Sequence, residues 1–143
     1  MTYRYRDDIA TADAAFDAWG ESKEQLFNAA VDALMNVMVE TIDSIAASEQ
    51  KTVSLKSDRL DMLLFSLLGE LIYYKDAEQL LLRIEDISIG KTERGWKLHA
   101  VLSGEKINPD KHDLLVDVKA VTLHRLYVCE TESGWTATVV LDL

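Results

Sequence analysis

The spacing of apolar residues changes near Ala77, and this change limits the possible folds more than any other feature of the chain. Before Ala77, two segments carry apolar residues at positions i, i+3 and i+4, the spacing of one face of an α-helix. After it, apolar and polar residues alternate, as in strands that bury one face. Helices followed by strands that pair through turns are typical of an α+β domain. We therefore predict two helices packed on a mainly antiparallel β-sheet.

The first predicted helix spans residues 22–40. Ser22 and Gln25 fit a capping box, in which the serine hydroxyl and the glutamine side chain satisfy free backbone N–H groups. One apolar face follows this start, and it predicts a helix that packs on the core. The face consists of Phe27, Ala30, Val31, Leu34 and Met38.

The second predicted helix spans residues 57–75, with Ser57 or Asp58 as its N-cap. Its apolar stripe is broad enough to be largely buried. Gly69 lies inside this helix at a cost of about 1 kcal/mol relative to alanine, and close helix packing is the usual reason for such a glycine. The stripe consists of Leu60, Leu63, Leu64, Leu67, Leu68, Leu71 and Ile72.

Period-two alternation and turn residues predict the strands. A turn at residues 91–95 joins two alternating segments, which predicts a hairpin whose first strand bends near Glu85 and Asp86. A second turn at residues 130–134 leads into the last strand. The predicted strands cover residues 3–6, 14–19, 53–55, 80–89, 96–102, 116–129 and 135–143.

Length and composition predict one soluble domain over residues 1–143, because 143 residues can enclose one hydrophobic core. The hydrophobic fraction of 48% and the charged fraction of 28% are those of a globular protein. No apolar run approaches the roughly 20 residues that cross a bilayer, and the N-terminus lacks a cationic stretch followed by an apolar one. We therefore expect a cytoplasmic protein without membrane association. Cys129 is the only cysteine, which excludes an internal disulfide and a thiolate metal cluster.

The charge of the chain disfavours direct binding to nucleic acid. The sequence has 25 acidic and 15 basic residues and a net charge of -10. Nucleic-acid binding draws much of its affinity from lysine and arginine at the phosphates, and an acidic surface repels them. Any role connected with RNA should therefore act through a protein partner or a metal ion.

Several common catalytic motifs are absent from the sequence. The three histidines do not show the His-x-x-x-His or His-Glu-x-x-His spacing of zinc sites. The six glycines form no phosphate-binding loop, and there is no Gly-x-Ser-x-Gly element. A conventional nucleotide-binding or serine-hydrolase function is therefore disfavoured.

Two aspartates have a pattern that suits a metal site. Asp13 lies where a strand begins, and Asp142 lies at the end of the last strand, beside Leu143 and its terminal carboxylate. Oxygen ligands grouped at strand ends suit hard cations such as calcium, magnesium or manganese. From spacing alone, the alternative is a solvated terminal aspartate and a turn-forming aspartate in an acidic chain. Both interpretations remain open at this level.

The chain resembles the archease family over essentially its whole length. No single matching stretch is specific, but their order, spacing and position at the two ends of the chain make the set specific. The matching positions are residues 11–13, Gly20, residues 26–30, 63–64, 70–73 and 104–105, His112, residues 119–122, His124 and residues 140–143.

This resemblance implies a layered α+β fold and a function without a reaction of its own. Archease-like proteins assist an RNA-splicing ligase of the RtcB type that acts on tRNA, by promoting its guanylylation and its multiple turnover. The resemblance implies a divalent cation, with calcium preferred and magnesium or manganese as alternatives, held by Asp13, Asp142 and Leu143. It also implies a functional Lys119 and self-association. Ala10 stands where the family motif usually has histidine, so an imidazole ligand is not expected there.

Two other classes of function are compatible with the residues. A metal-dependent hydrolase could use Asp13 and Asp142 to hold an ion and His124 as acid or base, which would need an open coordination position beside a pocket. A chaperone-like binding module would need an exposed apolar patch larger than a few hundred Å².

Overall fold

The computed structural model describes residues 2–8 and 13–143 of the chain. Two α-helices and eight β-strands are present in these residues, together with a single 3₁₀ turn at Ile42–Ser44. The α+β class predicted from the change of period is confirmed. In chain order the elements are β1 (Tyr3–Arg6), β2 (Ala14–Gly20), α1 (Lys23–Met38), β3 (Glu49–Ser57), α2 (Leu60–Glu78), β4 (Leu80–Thr92), β5 (Gly95–Lys106), β6 (Ala120–Val121), β7 (Tyr127–Thr131) and β8 (Gly134–Asp142).

Helix α1 begins with the predicted cap. The Ser22 hydroxyl accepts a hydrogen bond from the Gln25 backbone N–H at 3.1 Å. The Gln25 side chain accepts one from the Glu21 N–H at 2.8 Å, one residue before the cap. Two backbone donors at the start of the helix are thereby satisfied by side chains.

Helix α2 begins later than predicted. Its N-cap is Arg59, which makes no side-chain capping bond, so the assignment of Ser57 or Asp58 as the cap is wrong. Strand β3 continues through Ser57, which pairs with Trp96, and this pairing keeps Ser57 out of the helix. The Ser57 hydroxyl instead accepts a hydrogen bond from the Arg59 N–H at 3.3 Å.

The first sheet has the strand order β1-β2-β8-β6, and β7 pairs with the same strand β8. All of these pairs are antiparallel. Strand β8 therefore connects β2, which lies near the start of the chain, with the two short strands β6 and β7. This central position places the C-terminal end of β8 between two neighbours.

The predicted long strand over residues 116–129 is wrong, because the structure contains two short strands there. A turn closed by the Leu126 N–H and the Leu123 carbonyl separates β6 from β7, and Arg125 adopts a left-handed conformation with φ 55°. Residues 116–118 lie outside the sheet, where the backbone on either side binds the helices: the Leu115 N–H donates to the Met38 carbonyl at the end of α1, and the Val118 carbonyl accepts from Lys75 of α2. The two strands do not share one alternation, since Val121 is buried in β6 whereas Val128, seven positions later, is the residue of β7 that packs against the core.

The second sheet has the order β3-β5-β4, again antiparallel. The β4–β5 hairpin is confirmed, and its register shifts between Ile84 and Asp86, at the predicted bend. A residue inserted into one strand bends it and increases its twist.

Both helices contact both sheets and share one hydrophobic core. Leu67 and Leu71 of α2 are fully buried, as the apolar stripe predicted. The explanation proposed for Gly69 is wrong, since a Cβ atom added there would meet nothing within 4 Å. In the described part of the chain, neither helix is long and apolar enough to span a bilayer.

Candidate functional site

The register of β2 and β8 brings the two predicted aspartates to one edge of the first sheet. Ala14 and Leu141 form the last pair of the ladder. One step further along the same register places Asp13 opposite Asp142. Opposed residues of antiparallel strands have Cα atoms about 4.5–5.5 Å apart. Both side chains are exposed to solvent, so their carboxylates lie at an open edge of the sheet.

Lys119, the residue before strand β6, lies at the same edge. Ala120 pairs with Asp142, and the Lys119 N–H donates a hydrogen bond to the Asp142 carbonyl at 2.8 Å. The Lys119 side chain is exposed. The Leu143 side chain packs partly against the core and anchors the end of the chain beside Asp142. The strand pairing thus joins three positions that are remote in sequence.

The donor atoms at this edge fit a hard cation. Asp13 and Asp142 offer carboxylate oxygens, and Leu143 offers main-chain oxygen, which are the ligands that calcium, magnesium and manganese prefer. Within residues 2–8 and 13–143, no group of three or more His, Cys, Asp or Glu side chains could hold a metal ion. The edge therefore offers two side-chain carboxylates, and any further ligands of a cation would be main-chain oxygen and water. Hard cations commonly keep several waters.

Some of the positions named from the sequence cannot be placed in this site. Ala10, Thr11 and Ala12 lie outside the described residues. His124 lies exposed in the turn between β6 and β7.

A third aspartate of the first sheet is fully occupied by protein donors. Asp17 accepts hydrogen bonds from the Thr138 hydroxyl at 2.7 Å and from two nitrogens of Arg4, each at 3.2 Å. Arg6 approaches Oδ1 of Asp17, the oxygen that Thr138 binds, at 3.5 Å. Because these bonds join β1, β2 and β8, Asp17 stabilises the sheet and is not a free ligand.

A cavity of about 500 Å³ lies beside Asp13. Leu115 and Tyr5 on its wall are exposed large apolar side chains, at 54% and 44% exposure. The acidic edge is therefore next to a surface that combines exposed apolar side chains with the charged residues Arg6 and Asp7. The described walls are Tyr5, Arg6, Asp7, Asp13, Ala14, Ala15, Asn36, Val37 and Leu115.

A buried lysine holds the segment that leads into Lys119. Lys75 of α2 is 6% exposed, and its Nζ donates to the Val118 carbonyl at 2.8 Å and to the carboxylates of Asp117 and Asp76. Burial lowers the pKa of Lys75, but its hydrogen bonds to Asp117 and Asp76 outweigh burial, so this pKa lies above its ordinary value. The ammonium group is therefore charged, and it fixes the backbone one residue before Lys119.

A second buried polar cluster holds the loop after β5. The His112 Nδ1 accepts a hydrogen bond from the Asn108 N–H at 2.9 Å, so Nε2 carries the proton that binds Glu105 at 3.0 Å. Hydrogen bonds from the Ala46 N–H, Lys111 and His112 lower the pKa of Glu105 to about 2. The resemblance singled out Glu105 and His112, and the structure gives them a role in closing this loop.

Sequence reasoning missed Lys75, although a signal was present. Lys75 follows Leu68 by seven positions and Leu71 by four, which places it on the buried stripe of α2. A charged residue on a buried stripe requires a partner, and this requirement predicts a structural or functional contact.

The fold and the edge site define a small α+β protein with an acidic strand edge. The family model of the Archease protein family (MTH1598/TM1083) matches residues 3–143. The chain is 36% identical over 134 residues to a "Protein archease" of Pyrococcus abyssi, covering 93% of this chain and 94% of that one. The chain belongs to the archease family.

Solved structures show the same fold. The solution structure of Methanobacterium thermoautotrophicum protein 1598 matches with a TM-score of 0.85 and 31% identity, over 99% of each chain. The crystal structure of an archease from Thermotoga maritima, described as a possible chaperone, matches with a TM-score of 0.63 and 19% identity, over 94% of this chain and 93% of that one. At this lower identity, the second match supports the fold alone.

Proposed function

We propose that this protein activates an RNA-splicing ligase of the RtcB type, and that it promotes guanylylation and multiple turnover of the ligase through a bound divalent cation. The observation that carries the proposal is the strand register that sets Asp13 opposite Asp142 with Lys119 tied to the same strand end. Membership of the archease family supports it.

Each part of the edge has a separate task in this proposal. Asp13, Asp142 and the main-chain oxygen of Leu143 hold the cation. A divalent cation neutralises charge that develops on phosphates during phosphoryl transfer. Lys119 presents its side-chain ammonium group to the ligase or to the nucleotide bound there. The hydrogen bond from the Lys119 backbone N–H to the Asp142 carbonyl keeps this residue at the edge.

The acidic surface supports docking to a protein rather than to RNA. The net charge of -10 repels phosphates over most of the surface and attracts a basic enzyme that handles RNA. The protein itself then contributes no covalent step.

The test is multiple-turnover ligation by a cognate ligase with and without the protein. Asp13→Asn and Asp142→Asn should each abolish stimulation and weaken cation binding in calorimetry, because each removes a charge with little change of shape. Lys119→Ala should weaken stimulation and leave cation binding unchanged. Circular dichroism should show an unchanged fold in all three variants.

Asp110→Asn is a matched control, since Asp110 is an exposed aspartate in the loop after β5. It should stimulate the ligase as the wild type does. Wild-type stimulation by both Asp13→Asn and Asp142→Asn in metal-limited buffer would show that the mechanism is wrong.

A chaperone-like binding module is a second candidate, favoured by one observation. Leu114, Leu115 and Val116 are consecutive apolar residues with exposures of 45%, 54% and 47%. Such a ridge can bind apolar surface of another protein. If this is the function, Leu115→Ser should reduce suppression of aggregation of an unfolding client protein, while Asp142→Asn should not.

A further inference from the structure

The outer face of the second sheet carries a groove remote from the acidic edge. Its volume is about 660 Å³, within the range of pockets for small molecules. Three rows of side chains across β3, β5 and β4 form it, and polar groups dominate its outward-facing positions. These positions are Ser54, Lys56, Ser88, Gly90, Lys97 and His99.

Two lysines face each other in this groove, and no acidic side chain of the described residues forms a salt bridge with either. Lys56 and Lys97 are directly paired across the β3–β5 ladder, and both are exposed. Like charges at opposed positions of a sheet destabilise it. Within residues 2–8 and 13–143, neither lysine forms a salt bridge, although the chain has ten more acidic than basic residues. A bound anion would remove this repulsion.

Gly90 keeps the groove open beside the lysines. It pairs with Lys97 on the β4 side, and a Cβ atom at Gly90 would meet nothing within 4 Å. Its φ is not in the left-handed region either. Neither packing nor backbone conformation therefore requires glycine here, and glycine weakens a strand interior. A strand glycine of this kind often marks a place where a ligand approaches the backbone.

The next row supplies hydroxyl and imidazole groups that can form hydrogen bonds. His99 lies between Ser54 and Ser88 in the register, and the Ser54 hydroxyl is 3.2 Å from His99 Nδ1. Two cations beside hydroxyl and imidazole groups match the oxygens of a phosphoryl group, which takes up charge-assisted and neutral hydrogen bonds together.

We propose that this groove, the Lys56–Lys97–Gly90 groove, binds the phosphoryl group of a small molecule. A volume of about 660 Å³ exceeds the space that one phosphate ion needs, which favours a phosphorylated organic molecule. The net charge of -10 disfavours a nucleic-acid chain, because the protein as a whole repels a polyanion. This site is independent of the ligase role.

The test is a titration of ¹⁵N-labelled protein with inorganic phosphate, with adenosine monophosphate and with a single-stranded RNA. Both small ligands should cause saturable shifts at Ser54, Ser88, Gly90 and His99, and tighter binding of the nucleotide would identify an organic ligand. Equal binding would identify the phosphoryl group alone as the ligand. Tighter binding of RNA, with shifts spread beyond the groove, would overturn the proposal.

Variants test whether binding depends on the residues of this groove or only on positive charge anywhere on the surface. Lys56→Met with Lys97→Met should weaken binding of either ligand by at least about tenfold, since both charge-assisted contacts are lost. Gly90→Val should weaken binding similarly and remain folded, because valine suits a strand. Lys106→Met, an exposed lysine at the far end of β5, should bind as the wild type does.

The proposal fails if neither small ligand causes a saturable shift at millimolar concentration. It also fails if the double lysine variant binds as the wild type does, or if Lys106→Met loses as much affinity as the double variant. The ligation assay is not needed for any of these outcomes, so failure here and failure of the ligase role are distinguishable.

Discussion

At the scale of single residues, three buried polar side chains have specific hydrogen-bond partners. Asp17, Lys75 and His112 are each less than 9% exposed, and each makes at least two hydrogen bonds. A buried polar group without a partner costs more than a satisfied one contributes, so these contacts specify one arrangement of their loops and strands. Asp13, Asp142 and Lys119 differ, since their side chains remain exposed.

Glu105 gives a prediction about acid stability. Its pKa is near 4.5 when unperturbed and about 2 in the folded protein. Between these values the unfolded chain binds the proton more readily, so falling pH favours unfolding. Glu105→Gln should therefore be less stable than the wild type at neutral pH, and the difference should shrink as pH falls through this window.

Urea unfolding at a series of pH values from neutral to about 3 measures this difference. Glu132→Gln, in the exposed turn before β8, is the control and should follow the wild type. A difference between Glu105→Gln and wild type that stays constant with pH would contradict the role of the Glu105 charge.

At the scale of elements, the two helices are stabilised in different ways. Helix α1 has a side-chain cap and one clear apolar face, whereas α2 lacks a side-chain bond at its N-cap and depends on burial in the core. Most helical stability in proteins comes from such packing rather than from local propensity. This explains how α2 tolerates Gly69 in its interior.

Gly69→Ala should stabilise the protein by about 0.5–1 kcal/mol, because alanine restricts the unfolded chain and favours the helix. The added Cβ meets no neighbour. Thermal or urea unfolding measures the gain. Gly104→Ala is the opposite case, since its Cβ would overlap the Leu81 carbonyl, and it should destabilise. A loss of stability in Gly69→Ala would show that α2 packs another surface at this position.

At the scale of the whole molecule, the core helix α2 connects with the edge of the first sheet. Lys75 spans this distance by binding the Val118 carbonyl, next to Lys119. The Lys119 N–H then binds the Asp142 carbonyl. The position of the candidate site thus depends on packing in the core as well as on the strand register.

Lys75→Met should lower the free energy of unfolding by roughly 1–3 kcal/mol, because the methionine keeps the stem volume but leaves the Val118 carbonyl without its donor. Amide hydrogen exchange at Lys119 should become faster. Lys106→Met is the control: it removes an exposed hydrogen bond to the Glu78 carbonyl, and it should lower stability by less than Lys75→Met does. Unchanged exchange at Lys119 would show that Lys75 does not hold this segment.

The sequence by itself determined the elements whose signals are local. The capping box at Ser22, the buried stripe through Leu67 and Leu71, and the bent hairpin at Asp86 all follow from spacings within one segment. Such patterns depend on backbone period and on which face is apolar, and both are written in neighbouring residues.

Only the tertiary structure decided the arrangements that join distant segments. The break between β6 and β7 depends on the left-handed Arg125 and on contacts of residues 114–118 with α1 and α2. The opposition of Asp13 and Asp142 depends on which strands pair and in which register. Pairing is settled by the burial of a whole sheet face, because a slip of one residue turns every side chain of a strand to the other face.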